Sequence, residues 1–384
     1  MPFEEVKVMD ERIRFVLEVL EQDRSFSTVC REFGISRPTG YLWLRRYQES
    51  GSVLSLREHS RRPHRSPSRI WQELEDQIIG LRLAYGWGAR KLQLLLANNG
   101  YSVSESTINR VLKRSGLVAK RAVTGQATRR FERARPNQLW QMDFKGHYRI
   151  SGGRCCPLTI LDDHSRYAIG VFGLGNQQGS SVYPCLVASF ERYGLPEAML
   201  VDHGTPWWSP NGHGLTWLSV ALIKQGIRLI FSGIRHPQTQ GKVERFHRTL
   251  NETVKYWGYP KTLAGWESAL NRFVEEYNHI RPHDALRGQV PASCFCPSSH
   301  SYQPQPPEWE YPPDAIVKRL NPQGSLDYKR RRCFVSEALA NEYVEVIESE
   351  KSILVMFRNM WIREIDLKTG RSVSLIDSSK NPYV

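Results

Sequence analysis

The sequence predicts a multidomain chain: all-α in front, α/β in the middle, and a small all-β unit at the end. Three observations carry this reading. Apolar residues repeat at helical spacing through the first third of the chain. From residue 137 three short strand-like runs come first, and helices and strands then alternate. After a proline- and serine-rich stretch at 296–313, short β-rich runs recur from 314 to 376. At 384 residues the chain exceeds one simple core.

The front end begins with a helical stripe of Ile13, Val16, Leu17 and Leu20. In "FSTVCREFGISRPTGYLWLRRYQESG", Val29 and Phe33 face inward on a short helix and Gly34 suits its left-handed exit. Ser36 is a good N-cap and Pro38 falls in the first turn of the next helix. That helix offers Tyr41, Leu42 and Leu44 for packing and Arg37, Arg45 and Arg46 for DNA. Helix, glycine turn and N-capped basic helix form a helix-turn-helix over 1–50, a pattern an ordinary helical hairpin would share. A basic linker (51–70) precedes a second such unit at 71–118, for which a plain helical spacer is the alternative. There Ser104 caps a helix with Ile108, Val111 and Leu112 inward and Arg110, Lys113 and Arg114 outward. A basic connector occupies 119–136.

In the middle region (137–295), "NQLWQMDF" reads as a strand and 154–174 as two strands around a polar turn at Asp162–Ser165. A helix over 180–194, a strand ending at Asp202, a helix near 213–225 and a strand at 227–234 follow. "HPQTQGKVERFHRTL" (236–250) and 262–286 supply the last two helices. The 296–313 stretch reads as a linker, 314–376 as a small β-barrel with a basic "KRRR" patch, and 377–384 as a tail.

Composition narrows the function. The formal net charge is +14, and 1–135 alone holds 25 Lys and Arg against 15 Asp and Glu. Such a surplus favours a polyanionic partner, since each phosphate contact releases counterions. No apolar run of membrane-spanning length and no secretory leader is seen, so a cytoplasmic chain is expected. Seven cysteines without a C-x-x-C argue against a disulfide framework or a zinc site.

Three carboxylates stand out. Asp143 lies in the first strand, amid hydrophobic residues where an unpaired charge is costly. Asp202 ends a hydrophobic strand, where open α/β sheets place ligands. Glu244 lies on a helix whose buried stripe is Val243, Phe246, Leu250, Val254 and Trp257. It stands about 100° from Val243, on a flank shared with Gln240, His247 and Asn251. An i,i+4 salt bridge from Glu244 to Arg248 is the plainer alternative. Three acids converging on one sheet edge would repel, and a divalent cation resolves the repulsion. Carboxylate oxygens select magnesium or manganese. Asp162 and Asp163 are rival acids, but their setting marks them first as turn formers.

"WQMDF", "VDHGTP", "HPQTQGKVERFHRTL" and "YNHIRPHDAL" resemble the integrase core of bacterial insertion-sequence transposases related to retroviral integrases. The resemblance is strong over about 137–290, with weaker motifs on either side. It implies a ribonuclease H-like fold and an Asp-Asp-Glu triad, which carries over onto Asp143, Asp202 and Glu244 as catalytic residues and metal ligands. The expected reaction is metal-dependent cleavage at transposon ends and joining of the freed 3′-hydroxyls to target DNA, with two magnesium ions (manganese as substitute). The expected partner is double-stranded DNA, engaged by at least a dimer, and the expected location the bacterial nucleoid. Lys242, Arg245 and Arg248 are candidates for phosphate contacts. A non-catalytic DNA-binding regulator would explain the basic front end but not the acids; a simple nuclease would explain the acids but not the front end.

Overall fold

The computed structural model describes residues 8–57, 70–118, 132–209, 214–231 and 237–376. The central parts of both basic connectors, the 210–213 turn, 232–236 with His236, and the tail 377–384 lie outside the described residues. The chain forms two compact units, Met1–Ile70 and Trp71–Val384.

In the first unit, α1 (Val8–Leu20), α2 (Phe26–Glu32) and α3 (Arg37–Ser50) surround Phe15, Val16, Val29, Cys30 and Trp43. Ser36 caps α3 by accepting from the Thr39 amide, and Gly34 takes a left-handed φ of 64°. The packing faces differ from the expected ones. Leu17 and Leu20 are exposed, because α1 turns Phe15 inward to meet Phe26 and Phe33 edge-on. Tyr41 and Leu42 are exposed as well. The α3 face that closes on its neighbours starts at Gly40, where an added Cβ would lie 2.7 Å from the Cys30 sulfur and 2.9 Å from the Phe15 ring. One turn on, Trp43 takes the buried position on that face.

In the second unit, α4 (Gln72–Tyr85), α5 (Ala89–Asn98) and α6 (Glu105–Arg114) form a three-helix module. Ser104 caps α6, and Ile108, Val111 and Leu112 are buried as the spacing requires.

The α/β core comes next. Strands β1 (Trp140–Phe144), β2 (Tyr148–Ile150), β3 (Gly153–Asp162) and β4 (Ala168–Leu174) are antiparallel, with β3 central to them. After α7 (Gly179–Tyr193) comes β5 (Ala198–Val201), parallel to β1. A short hairpin, β6 (Trp208–Ser209) and β7 (Gly214–Leu215), leads to α8 (Trp217–Lys224) and β8 (Arg228–Phe231), which is parallel to β5. Helices α9 (Pro237–Trp257) and α10 (Leu263–Glu275) complete the core. The last helix is shorter than expected, giving way to a wide turn at Glu276–Ile280.

Val243, Phe246, Leu250 and Val254 of α9 pack with Leu161, Ala168 and Val171 of the sheet and Trp266, Leu270 and Phe273 of α10. Burying Phe246 and Leu250 stabilises this layer by about 1.5–3 kcal/mol each. The opposite face holds Trp140, Met142, Leu186 and Phe190.

The C-terminal part contains β9 (Ile316–Arg319), β10 (Ser325–Tyr328), β11 (Arg331–Phe334), β12 (Tyr343–Glu348), β13 (Ser352–Phe357), β14 (Met360–Asp366) and β15 (Ser372–Ser374). Five of these form an antiparallel sheet in the order β15-β14-β13-β12-β9, and β10 and β11 pair as a hairpin. This part is not held at a distance by a linker. Val344, Val355 and Ile362 share one continuous apolar cluster with Leu218, Leu229 and Phe231 of the core. The Leu229 amide of edge strand β8 donates to the Met360 sulfur at 3.4 Å, so the exposed edge of the core sheet is covered. The 296–313 segment is likewise laid down on the core: Phe295, just before it, stacks on Tyr167 at 4.3 Å, and the His300 carbonyl accepts from the Leu195 amide.

Candidate active site

The parallel pairing of β1 and β5 sets Trp140 opposite Met199 and Gln141 opposite Leu200. Extending both strands by two residues places Asp143 beside Asp202 at the same sheet edge. Asp202 stands just past the last residue of β5 and accepts from the Gly204 amide at 3.1 Å. A side chain at Gly204 would place its Cβ 2.9 Å from the Asp202 carboxylate, so only glycine leaves that carboxylate undisturbed.

Helix α9 brings the third acid. Glu244 is exposed and shares its flank with His247, one turn along. His247 is buried; its Nε2 lies 2.8 Å from Thr159 Oγ1 and its Nδ1 3.9 Å from Asp143 Oδ2. The Thr159 hydroxyl spends its only proton on the Asp143 carbonyl, at 2.8 Å. It must therefore accept from His247, which assigns the Nε2–H tautomer and leaves the Nδ1 lone pair on the Asp143 side. Burial, with Lys145 nearby, pushes His247 down to about 4. At neutral pH it is uncharged, so its approach to Asp143 is not an ion pair. The sequence places His247 on the Glu244 flank but carries no signal for the Thr159 relay.

The Asp143 carboxyl feels the charge of both other acids. Burial, then the charge of Asp202 and also that of Glu244, push the Asp143 carboxyl up to about 6. No ion pair joins Glu244 to Arg248 among the described residues, which removes the plain salt-bridge reading. Carboxylate oxygens are the donor type that a hard divalent cation takes. Among the described residues no three His, Cys, Asp or Glu side chains are close enough together to hold a metal ion.

The rival acids are structural. Asp162 accepts from the Asn137 amide and from both the amide and hydroxyl of Ser165. Asp163 accepts from the Arg133 amide, the Gln141 side chain and Lys242, the last at 2.6 Å. Lys242 thus turns inward, only 16% exposed, rather than outward to a phosphate. The Asp163 carboxylate offsets part of the cost of burying the ammonium, and burial still pushes the Lys242 pKa down. Arg245 and Arg248 are exposed on α9.

The cations of the helical units divide in the same way. Arg37 opens α3 and is exposed, Arg45 pairs with Glu49 on the surface at 2.7 Å, and Arg46 lies 4.7 Å over the Trp43 ring. On α6, Arg110 and Lys113 are exposed, whereas Arg114 is drawn 2.6 Å from the buried Glu75 of α4.

Comparison with known proteins accords with this layout. Residues 11–64 match a helix-turn-helix domain and 39–112 a homeodomain-like domain. Residues 133–237 and 225–291 match two integrase core domain models. The transposase for transposon Tn552 of Staphylococcus aureus is 26% identical over 69% of this chain, which spans 62% of that relative's length. A 31.7 kDa protein of insertion element IS407 from Burkholderia multivorans is 24% identical over 57% of this chain and 80% of its own. The HTLV-2 integrase catalytic core domain, solved in complex with magnesium, overlaps 42% of this chain and 97% of its own, with 16% identity and a TM-score of 0.33. The chain thus matches helix-turn-helix domain models in front and integrase core domain models behind them, and it is similar to bacterial transposon and insertion-element proteins with that core.

Proposed function

We propose that the chain cuts DNA at the ends of its mobile element and joins the freed 3′-hydroxyls to target DNA. What supports this is the register that sets Asp143 beside Asp202 at the carboxyl ends of β1 and β5, with the charges of Asp202 and Glu244 acting on the Asp143 carboxyl. Asp143, Asp202 and Glu244 stand too far apart here to hold an ion together and would do so only after drawing closer, taking magnesium with manganese as substitute. Two such ions, when bound, supply Lewis-acid stabilisation of the phosphate and an activated water.

The chain's own groups do the rest. His247 and Thr159 fix the backbone at Asp143, and the His247 Nδ1 lone pair faces its carboxylate. Exposed Arg245 and Arg248, adjacent to Glu244 on α9, hold backbone phosphates. In the first step water attacks phosphorus and the 3′-oxygen leaves. In the second the freed 3′-hydroxyl attacks a target phosphate in line and displaces another 3′-oxygen. No protein nucleophile is consumed.

The two helix-turn-helix units read the terminal repeats through Arg37 and Arg110, since base-edge contacts specify and phosphate contacts position. Lys113 and Arg45 contact the backbone. The reaction joins two ends, so the active species is at least a dimer on DNA. Among the described residues no helix is long and apolar enough to cross a membrane.

The test is an end-labelled duplex carrying the element terminus, incubated with the full chain, magnesium and a target plasmid. Cutting and joining are expected. Binding without either step favours the regulator reading, and cutting without joining favours a nuclease.

A further inference from the structure

The "YNHIRPHDAL" segment takes no part in the chemistry above, yet the structure gives it a defined place. Asn278 makes two hydrogen bonds to Ala168, accepting from its amide at 2.8 Å and donating to its carbonyl at 3.0 Å, which pins the segment to the start of β4. The first half of α5, with Trp87 just before it, packs on residues 281–288. The Arg281 guanidinium lies 5.3 Å from the Trp87 ring centre, and Arg90 Nε is 3.2 Å from Asp284 Oδ1. Leu94 fills the space beside Gly288, where an added Cβ would meet it at 2.9 Å.

Lys91 lies one turn before Leu94 on the same α5 face and next to Arg90. It is half-buried, and among the described residues it makes no hydrogen bond or ion pair. Its surroundings are unfavourable for a cation. Burial, then Arg281, push its ammonium down, with Arg245 adding to the effect; Asp284 and Glu252 oppose it, and the ammonium titrates at about 7. Asp284 is engaged by Arg90, and Arg281 by the buried Glu276 at 3.8 Å. Beside them His283 Nε2 is buried with no hydrogen-bond partner among the described residues. Gly88, the N-cap of α5, offers no side-chain cap, so the positive end of that helix dipole adds to the field.

We infer that Lys91, Arg281 and Arg245 form a phosphate subsite where the second helix-turn-helix module meets the catalytic core, and that its ligand is a backbone phosphate of duplex DNA. A half-buried ammonium among like charges is costly alone and is offset by an anion. Three elements contribute: α5, α9 and the segment after α10. Arg245 adjoins Glu244, so the subsite would tie the register of the DNA held by the module to the acids. The inference rests on the DNA-joining reading and adds a place where the duplex is held.

The test compares the full chain with Lys91→Met, which keeps the apolar stem, and Lys91→Arg, which keeps the charge. Each is titrated with end DNA and with scrambled DNA from 50 to 200 mM salt. Lys91→Met should lower the salt slope by about 0.9 on both DNAs, so that affinity falls about 3-fold less across that range. Lys91→Arg should restore the slope. Without DNA, Lys91→Met should melt no lower than the parent at pH 7, because a desolvated charge has been removed. An unchanged slope in Lys91→Met overturns the subsite, and an unchanged slope with a lower Tm assigns Lys91 a packing role instead. A rise in Tm with inorganic phosphate that Lys91→Met loses, beside an unchanged DNA slope, assigns the pocket to a free anion and overturns the DNA assignment. Failure of the parent to bind DNA at all would overturn the DNA-joining function itself, a separate outcome.

Discussion

Replacing Lys242 by methionine tests how α9, and with it Glu244, is fixed to the core. The ammonium meets Asp163 at 2.6 Å, with the carboxylate fully buried and the lysine 16% exposed. Removing one partner of such a pair costs about 3–5 kcal/mol, because the other charge remains buried. Asp163 keeps hydrogen bonds from the Arg133 amide and the Gln141 side chain, which holds the loss near the lower end, about 3 kcal/mol. For a chain of this size that corresponds to a fall in Tm of about 6 °C. Thermal melts followed by circular dichroism would measure it. The double variant Lys242→Met with Asp163→Asn should recover most of the loss, since no unpaired charge is left. DNA binding by the single variant should keep the parent's salt slope. A parental Tm together with a slope reduced by about 0.9 would show that Lys242 faces a phosphate, and would refute the buried-pair argument.

The same geometry sets three more outcomes. The folded chain holds the Asp143 proton up to about pH 6, well above an ordinary aspartate, so the stability this proton contributes is full below about pH 4 and lost as pH rises through about 6. Asp143→Asn should therefore melt above the metal-free parent at pH 7 and level with it at pH 4; a lower Tm at pH 7 would contradict the repulsion among the acids. Thr159→Val strips the acceptor from the buried His247 and should cost about 1–3 kcal/mol, read as a lower Tm, with parental stability contradicting the relay. Arg37→Ala should weaken binding to element ends more than to scrambled DNA, by about 1–3 kcal/mol of discrimination; equal losses on both would place Arg37 on the backbone and leave base reading to α6.

Periodicity and capping carried most of the fold. Val243, Phe246, Leu250 and Val254 of the α9 stripe are buried where their spacing puts them, with Trp257 only partly so; Ser36 and Ser104 cap their helices, and Asp202 stands just past the end of its strand. These are local properties, set by residues a turn or two apart. The features that were not legible depend on distant partners. Leu17 and Tyr41 face outward because Phe15 and Gly40 meet α2 in three dimensions. Lys242 faces inward because Asp163, 79 residues away, is buried beneath it. Nothing local marks 296–313 as a strap on the core, or the last sheet as the cover of β8, since both depend on an edge that exists only once the sheet has formed. At the candidate site the sequence marks the three acids by their settings and motifs, while among the described residues they do not stand close enough together to hold a metal ion. Thr159 was not, because a threonine within a hydrophobic strand carries no local mark of the histidine it will meet.

The most direct measurement of the central claim is strand transfer by Asp202→Asn beside the parent. Both are given the same end-labelled element terminus, target plasmid and magnesium, and end binding is measured in parallel. Removing the charge while keeping the shape should abolish cutting and joining and leave end binding within about 2-fold of the parent, since Asp202 makes no DNA-reading contact in this account. Full joining by Asp202→Asn in magnesium would contradict the assignment of Asp143, Asp202 and Glu244 as the catalytic acids.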